Sequence, residues 1–201
     1  MSKAHAPEAQ PIDAIVIGAS AGGVRALSEV LATLPEGFNA IIMVVLHIPR
    51  ERPSLLVPVL QRQCRLPVVE VEDKMPLRRG HVYVAPPDYH LLVDGGPIAS
   101  LSGDELVNFS RPSIDVLFES AADIFGARLA GIVLSGANAD GAEGLAAIHR
   151  GGGVALVQDP LQAEATAMPE SAKRRVPAAI VLSTTDLGGW LLPRVAPRDA
   201  G

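Results

Sequence analysis

Residues 14–23 have the sequence AIVIGASAGG, in which a short apolar run meets a glycine-rich turn. Across residues 24–34, leucine and valine side chains then recur at the spacing of an amphipathic helix. An apolar strand followed by a tight turn and a helix is the repeating unit of α/β domains. Glycines suit such a turn because they adopt backbone angles that other residues avoid. These residues therefore predict that the chain opens with a strand of a buried parallel sheet.

The rest of the chain continues this alternation of apolar runs and helix-period segments. Strands are predicted at residues 40–46, 66–71, 129–134, 154–157 and 178–182, and helices at residues 54–63, 112–127, 141–150, 169–175 and 185–192. Short runs at residues 81–85, 89–93 and 98–101 are separated by turn signals, which predicts an antiparallel meander. The predicted fold class is α/β, a doubly wound and mainly parallel sheet with an antiparallel β insertion.

The length and composition suit one domain of this class. The chain has 201 residues, of which 48% are hydrophobic and only 3% aromatic, so Val, Ile, Leu and Ala must form the core. We expect the folded domain to span residues 12–192. Residues 1–11 are expected to be a disordered tail and residues 193–201 a flexible C-terminal tail.

Charge and cysteine content exclude some functions. The net charge of -5 argues against a nucleic-acid-binding protein, which usually has a basic face. No apolar run approaches the roughly 18 residues that a membrane span needs, and the N-terminus lacks the apolar core of a secretion signal. Cys64 is the single cysteine and has no partner for an internal disulfide, which fits a reducing compartment. We expect a cytoplasmic protein with a buried, structural Cys64.

Three reactive side chains follow predicted parallel strands. Ser20 comes after the first strand, His47 ends the second, and Asp140 follows the strand at residues 129–134. Ligands bind beyond the carboxyl ends of parallel strands, so the three side chains converge if their strands are neighbours. Their types are those of a nucleophile, a general base and an orienting carboxylate. The sequence therefore predicts a serine hydrolase. A distance near 3 Å between Ser20 Oγ and His47 Nε2 would support the triad, and this distance is often longer without a substrate.

The turn around Ser20 supports this hypothesis. Gly18 and Gly22 flank Ser20 in the pattern G-x-S-x-G, between a strand and a helix as that motif requires. The backbone N–H groups of Ala21 and Gly22 face the start of the helix. We expect them to stabilise an oxyanion, with help from the helix dipole.

Other interpretations of the same residues stay open. A phosphate-binding turn in a nucleotide-binding module is one, although its G-x-G-x-x-G pattern would place glycine where Ser20 stands. His90 competes with His47 for the role of base, and Asp140 is alternatively the N-cap of the helix that follows it. A non-catalytic binding or scaffold protein is a third function. No cofactor or metal is predicted, because no His, Cys or carboxylate pair has ligand spacing.

Five short motifs are spread over most of the chain. They are IGASAGG at residues 17–23, HIP at 47–49, GHVYVAP at 80–86, RPSIDVLF at 111–118 and NADG at 138–141. In combination they resemble the motifs of the chemotaxis protein-glutamate methylesterases, the CheB family, in its catalytic domain. The resemblance extends from about Ile12 to Leu192, nearly the whole chain.

This resemblance implies that Ser20 is the nucleophile, His47 the base and Asp140 the carboxylate that orients the base. It implies hydrolysis of glutamate γ-methyl esters on chemoreceptor-like proteins, with release of methanol, and deamidation of receptor glutamines. The implied substrate is a methylated chemoreceptor or a related signalling protein, and a separate response regulator is a further implied partner. No cofactor, nucleic acid or membrane insertion is implied.

The sequence departs from the family's pattern at three places. Ala21 stands where many members have threonine, but a backbone N–H needs no side chain, so we expect activity to survive. Ala137 stands where many members have methionine, within the pattern G-M-G-x-D-G that is here GANADG at residues 136–141. Only 19 residues precede Ser20, too few for the receiver domain of longer members. We expect either a truncated piece of a longer member or a stand-alone form under a different control.

Overall fold

The computed structural model describes residues 11–48 and 55–197, and a parallel sheet forms their centre. The strands in these residues are β1 Ala14–Ala19, β2 Ile41–Leu46, β3 Val68–Glu70, β4 His81–Val84, β5 His90–Val93, β6 Ala99–Ser102, β7 Leu129–Val133, β8 Val154–Gln158 and β9 Ile180–Leu182. Seven of them pair in parallel in the order β3-β4-β2-β1-β7-β8-β9. Because the strand order reverses beside β1, the sheet is doubly wound, as predicted.

Helices cover both faces of this sheet. Within the described ranges they are α1 Gly23–Ala32, α2 Leu56–Gln61, α3 Ile114–Phe125, α4 Ala142–Arg150, α5 Ala167–Arg175 and α6 Thr184–Leu191. Leu27 of α1 and Leu187 of α6 belong to the core on one face, and Phe118 of α3 and Leu145 of α4 belong to the core on the other. Since both faces are covered, β1 and β2 are buried at every position, which explains their unbroken apolar runs.

The antiparallel insertion is smaller than predicted. β5 and β6 pair antiparallel in a sheet of their own, with Leu91 opposite Leu101. The run at residues 81–85 was expected to be the first strand of this meander, and that expectation is wrong. It forms β4, which pairs in parallel with β2 and β3. The physical reason is burial on both faces, because Val82 and Val84 enter one core and Tyr83 enters the other.

The predicted boundary at the C-terminal end also differs from the structure. Leu192–Arg194 is a short 3-10 helix, and the Ile12 N–H donates to Arg194 O at 2.7 Å. Val195 is buried and forms an isolated parallel bridge with Ile12. The folded part therefore continues past the predicted boundary at residue 192. The rest of both predicted tails, residues 1–10 and 198–201, lies outside the described residues.

Three further predictions concern Cys64, membrane spans and the start of α2. Cys64 is buried, as predicted, and this burial raises the pKa of its thiol. In the residues that the structure describes, the helices are too short and too polar for any of them to cross a bilayer. The predicted helix at residues 54–63 is shorter in the structure, where α2 begins at Leu56, and Ser54 is outside the described ranges.

Candidate active site

The carboxyl ends of β2, β1 and β7 lie side by side, because these strands are neighbours in the sheet. The His47 N–H donates to Ala19 O at 3.1 Å, and the Ser20 N–H donates to Ser135 O at 2.9 Å. Ser20 is therefore flanked by the segment that contains His47 and by the segment that leads to Asp140. The structure brings the three predicted strand ends together, and the catalytic roles of these residues stay predictions.

Glycines shape the turn after β1. Gly22 is the N-cap of α1 and has a φ of +73°, a left-handed angle at which an L side chain is strained. A Cβ atom on Gly18 would lie 2.3 Å from Ile114 Cγ2, so glycine lets α3 approach β1 closely. Among the described residues, the N–H groups of Ala21 and Gly22 have no backbone acceptor. Both donors are thus available to a negatively charged oxygen at Ser20.

His47 uses its two ring nitrogens in different ways. Its Nε2 lies 2.9 Å from Asp140 Oδ2. An ionised carboxylate only accepts hydrogen bonds, so Nε2 has the proton and Nδ1 keeps the lone pair. Nδ1 accepts a hydrogen bond from Asn138 Nδ2 at 3.4 Å.

This arrangement leaves Nδ1 as the ring nitrogen of His47 that has a lone pair. His47 Nε2 is not placed as a partner of Ser20 Oγ, because it lies 2.9 Å from Asp140 Oδ2. In the part of the chain that the structure describes, no hydrogen bond joins the Ser20 and His47 side chains. The nitrogen that can take a proton from Ser20 is Nδ1.

Asp140 is fully buried and accepts hydrogen bonds from the start of α3. Its Oδ2 accepts the Ile114 N–H at 2.7 Å, and its Oδ1 accepts the Ser113 hydroxyl at 2.9 Å and the Asp115 N–H at 3.2 Å. Burial by itself would raise the pKa of Asp140, but the hydrogen bond from His47 and those from α3 outweigh it and lower the pKa. The carboxylate is therefore ionised and can stabilise a positive charge on the imidazole.

Asp140 caps a different helix from the one that follows it. The N-cap of α4 is Gly141, and it makes no side-chain cap hydrogen bond. The N-cap of α3 is Ser113, whose hydroxyl donates to Asp140 instead of accepting from its own helix. Asp140 thus satisfies N–H groups at the N-terminus of α3. The alternative that Asp140 is the N-cap of α4, the helix that follows it, is wrong.

A second buried carboxylate lies beside Asp140. Asp115 Oδ1 accepts the Gly144 N–H at 2.7 Å, and Asn108 Nδ2 donates to Asp115 Oδ2 at 2.8 Å and to Asp140 Oδ1 at 3.3 Å. Burial is the main cause that raises the pKa of Asp115, to about 6. The nearby charge of Asp140 adds to the rise, and the Gly144 hydrogen bond opposes it.

Sequence reasoning missed Asn108, Asp115 and Asn138 as site residues. Asp115 and Asn138 lie within the quoted motifs at residues 111–118 and 138–141, so their presence in a motif was a signal. Asn108 had no such signal, because its contacts depend on how the loop before α3 folds back. Asn138 contacts the Asp140 N–H two residues away, but its contact with His47 joins residues 91 apart and has no local sequence pattern.

His90, the alternative base, is placed differently. It is 2% exposed, its Nδ1 accepts the Ser113 N–H at 3.1 Å, and its Nε2 donates to Glu105 O at 3.0 Å. Both ring nitrogens are therefore engaged by backbone groups. This histidine joins the loop before α3 to the start of that helix, and neither nitrogen is available to accept a proton from a serine.

A pocket of about 490 Å³ opens beside Ser20. Its lining includes Glu29 and Glu164, and its one cation, Arg25, forms an ion pair with Glu29 at 2.9 Å. With Arg25 paired to Glu29, the further carboxylate of Glu164 in this pocket disfavours a phosphate there, which weakens the nucleotide-binding alternative. Within residues 11–48 and 55–197, no group of three or more His, Cys, Asp or Glu side chains is arranged to hold a metal ion.

Comparison with known proteins gives consistent matches over most of the chain. The family described as CheB methylesterase matches residues 15–191. A relative from Leptospira interrogans is 47% identical over 171 residues, which are 85% of this chain and 89% of that protein. A protein-glutamate methylesterase/protein-glutamine glutaminase of Pseudomonas putida is 35% identical over 187 residues, which are 92% of this chain but 50% of that protein.

A solved structure supports the same assignment. The crystal structure of the Thermotoga maritima CheB methylesterase catalytic domain superimposes with a TM-score of 0.87 at 30% sequence identity. The match covers 92% of this chain and 99% of that chain. Fold and sequence thus agree over nearly all described residues. The chain belongs to the CheB methylesterase family of hydrolases.

Proposed function

We propose that this protein is a protein-glutamate methylesterase that hydrolyses γ-methyl esters on chemoreceptor-like proteins through Ser20, His47 and Asp140. The observation that supports the proposal best is the hydrogen bond between His47 and the buried, ionised Asp140, next to the strand end that presents Ser20. A nucleophile, a base and an orienting carboxylate at adjacent strand ends are the groups that acyl transfer requires. Family membership and the name of the Pseudomonas putida relative agree with this chemistry.

The proposed reaction has two steps. Ser20 Oγ attacks the ester carbonyl while its proton passes to His47 Nδ1, which first gives up its hydrogen bond from Asn138. The C–O bond to the methoxy group breaks, His47 returns the proton to it, and methanol leaves. A water molecule then attacks the acyl-serine with His47 again as base, which yields glutamate and free Ser20.

Three features of the site lower the barrier in this proposal. The Ala21 and Gly22 N–H groups stabilise the negative oxygen of each tetrahedral intermediate, together with the N-terminal end of α1. Asp140 fixes the tautomer of His47 and stabilises the imidazolium.

A glutamine side chain fits the same steps, with ammonia in place of methanol, so we include protein-glutamine deamidation as a second activity.

The central test is the variant Ser20→Ala. We expect methanol release from a methylated chemoreceptor fragment to fall by at least about 10³-fold, since triad residues contribute rate factors of this order or more, while the thermal unfolding midpoint stays within a few degrees. The matched control is Ser28→Ala, a serine that lines the same pocket, and it should retain most activity. Undiminished methanol release by Ser20→Ala would disprove the proposed nucleophile.

The non-catalytic scaffold is the second function to test. A fluorophosphonate probe reacts with an activated serine and should label the native protein but not Ser20→Ala. Absence of labelling together with tight binding of the receptor fragment would favour the scaffold.

The cellular setting forms part of the same proposal. We infer a cytoplasmic catalytic domain at residues 12–192, with a few structured residues beyond it, whose substrate is the methylated receptor and whose control comes from a separate response regulator. The chain spans about half the length of the Pseudomonas putida relative. The proposed control by a separate chain can be tested directly. Activation of methanol release by a phosphorylated response regulator added in trans would support it.

A further inference from the structure

The loop between β6 and α3 exposes three large apolar side chains. Phe109 is 96% exposed, Leu106 is 45% exposed and Val107 is 36% exposed. We call residues 103–110 the Phe109 loop. Clusters of exposed apolar residues on a folded protein commonly mark a place where another molecule binds.

The backbone of the Phe109 loop is held firmly although these side chains are not buried. Arg111 Nη1 donates to Gly103 O at 2.7 Å and to Asp104 O at 2.8 Å. His90 Nε2 donates to Glu105 O at 3.0 Å. These bonds fasten the first half of the loop to residues next to α3. The side chains therefore project from a fixed support.

The tip of the loop adopts an unusual conformation. Asn108 and Phe109 have φ values of 51° and 60°, which non-glycine residues rarely adopt. Val107 and Ser110 exchange two backbone hydrogen bonds of 3.2 and 2.9 Å across the tip. The Asn108 side chain also binds Asp115 at 2.8 Å. This combination holds an aromatic side chain in solvent, where its own hydrophobicity gives the fold no benefit.

The loop is directly linked to the proposed catalytic residues. Asn108 Nδ2 lies 3.3 Å from Asp140 Oδ1, and Asp140 Oδ2 binds His47. Phe109 is the next residue in the chain after Asn108. The Phe109 loop is thus joined to His47 through two hydrogen bonds, one from Asn108 to Asp140 and one from His47 to Asp140.

We propose that Phe109, with Leu106 and Val107, is a docking surface for an apolar patch of the methylated protein substrate. This inference rests on the proposed function and names how the substrate is recognised. Asp104 and Glu105 are exposed on the same loop, so an acidic partner face would be repelled, whereas glutamates neutralised as methyl esters would not be. A fixed loop and an aromatic residue with few rotatable bonds lose little conformational entropy on binding.

The test compares a protein substrate with a small ester on the same variants. The protein substrate is a helical chemoreceptor fragment with radiolabelled methyl esters, and the small ester is 4-nitrophenyl acetate. We expect Phe109→Ala to raise KM for the receptor fragment at least 5-fold, with kcat/KM for 4-nitrophenyl acetate within 2-fold of the native value. Phe109→Leu should restore most of the affinity, because it keeps an apolar side chain.

The control is Leu192→Ala, which removes a comparably exposed apolar side chain far from the site. Its KM for the receptor fragment should match that of the native protein. An unchanged KM in Phe109→Ala would overturn the docking proposal while the proposed function stands. Equal losses on both substrates would also overturn it, because they would indicate damage to Asn108 and Asp140. No methanol release by the native protein would overturn the proposed function, and this inference with it.

Discussion

Asn138 illustrates how a single side chain affects the proposed chemistry. Its Oδ1 accepts the Asp140 N–H at 3.2 Å, and its Nδ2 donates to His47 Nδ1 at 3.4 Å. The family pattern given above has glycine at this position, so this contact comes from a residue that departs from that pattern. In the structure the amide of Asn138 occupies the lone pair of His47 Nδ1. Under the proposed mechanism, Asn138 therefore competes with Ser20 for this nitrogen.

At this scale we expect Asn138→Ala to increase the reactivity of Ser20. Loss of a neutral hydrogen bond of about 0.5–1.5 kcal/mol corresponds to a rate change of roughly 2- to 10-fold. The measurement is the rate of labelling by a fluorophosphonate probe at pH 7, with Ser20→Ala as the unlabelled control. Slower labelling of Asn138→Ala would mean that the amide supports the base instead of competing with it.

At the scale of elements, two buried carboxylates join the loop after β7, α3 and α4. Asp140 binds N–H groups of α3, and Asp115 at the start of α3 binds the Gly144 N–H of α4. A Cβ atom on Gly144 would lie 2.5 Å from Phe118 Cβ, so the two helices are in close contact there. The two acids have opposite pKa shifts, lowered for Asp140 and raised for Asp115. The Asp140 carboxylate beside His47 therefore stays ionised, whereas ionisation of the neighbouring Asp115 is disfavoured.

This arrangement predicts a dependence of stability on pH. The folded-state pKa of Asp115 is about 6, above its unfolded value, so the protonated form stabilises the fold below about pH 4 and this stabilisation is lost as the pH rises to about 6. A shift of about two pKa units corresponds to at most about 3 kcal/mol. We expect Asp115→Asn, which cannot ionise, to lose less stability than the native protein between pH 4 and pH 7.5.

Urea unfolding at pH 4 and at pH 7.5 measures this effect. The stability of Asp115→Asn relative to the native protein should increase between the two pH values. The matched control is Asp94→Asn, since Asp94 is an exposed acid whose ion-pair partner, Lys74, is also exposed. A constant difference between Asp115→Asn and the native protein would contradict the raised pKa.

At the scale of the whole molecule, the two ends of the sheet have separate tasks. The proposed site lies beyond the carboxyl end of β1, and the C-terminal segment packs at its amino end. There Ile12 pairs with Val195 and donates to Arg194, and Asn39 Nδ2 donates to Pro197 O at 3.3 Å. These contacts join the segment before β1 to the end of the described chain. Stability and chemistry should therefore respond independently to changes at the two ends.

We expect deletion of residues 193–201 to destabilise the fold without altering the site. Loss of the buried Val195 and its backbone pairing should lower the free energy of unfolding by about 2 kcal/mol, which lowers the melting temperature by roughly 4–8 °C. The kcat for methanol release below that temperature should stay within 2-fold. Deletion of residues 198–201 alone is the control, and an equal loss of stability in that control would contradict the role of Val195.

Much of the fold could be predicted because burial leaves a mark on local sequence. The run AIVIGA at residues 14–19 and the helix period after it correspond closely to β1 and α1. β4 was assigned to the wrong sheet because four residues show apolar character but not strand direction or partner. Val195 was placed in a tail because its partner, Ile12, is at the other end of the chain. Pairing between distant segments has no local pattern.

For the site, local sequence was enough to select Ser20, His47 and Asp140 as candidate reactive groups and to place them at strand ends. Which atoms of these residues meet depends on the packing of distant segments. Asp140 accepts hydrogen bonds from His47 Nε2 and from the N-terminus of α3. Asn108 donates to Asp140, and Asn138 donates to His47 Nδ1. The physical reason is that residue type fixes what a group can donate or accept, whereas hydrogen bonds need positions within about 3 Å. Those positions depend on how β7, α3 and the Phe109 loop pack together.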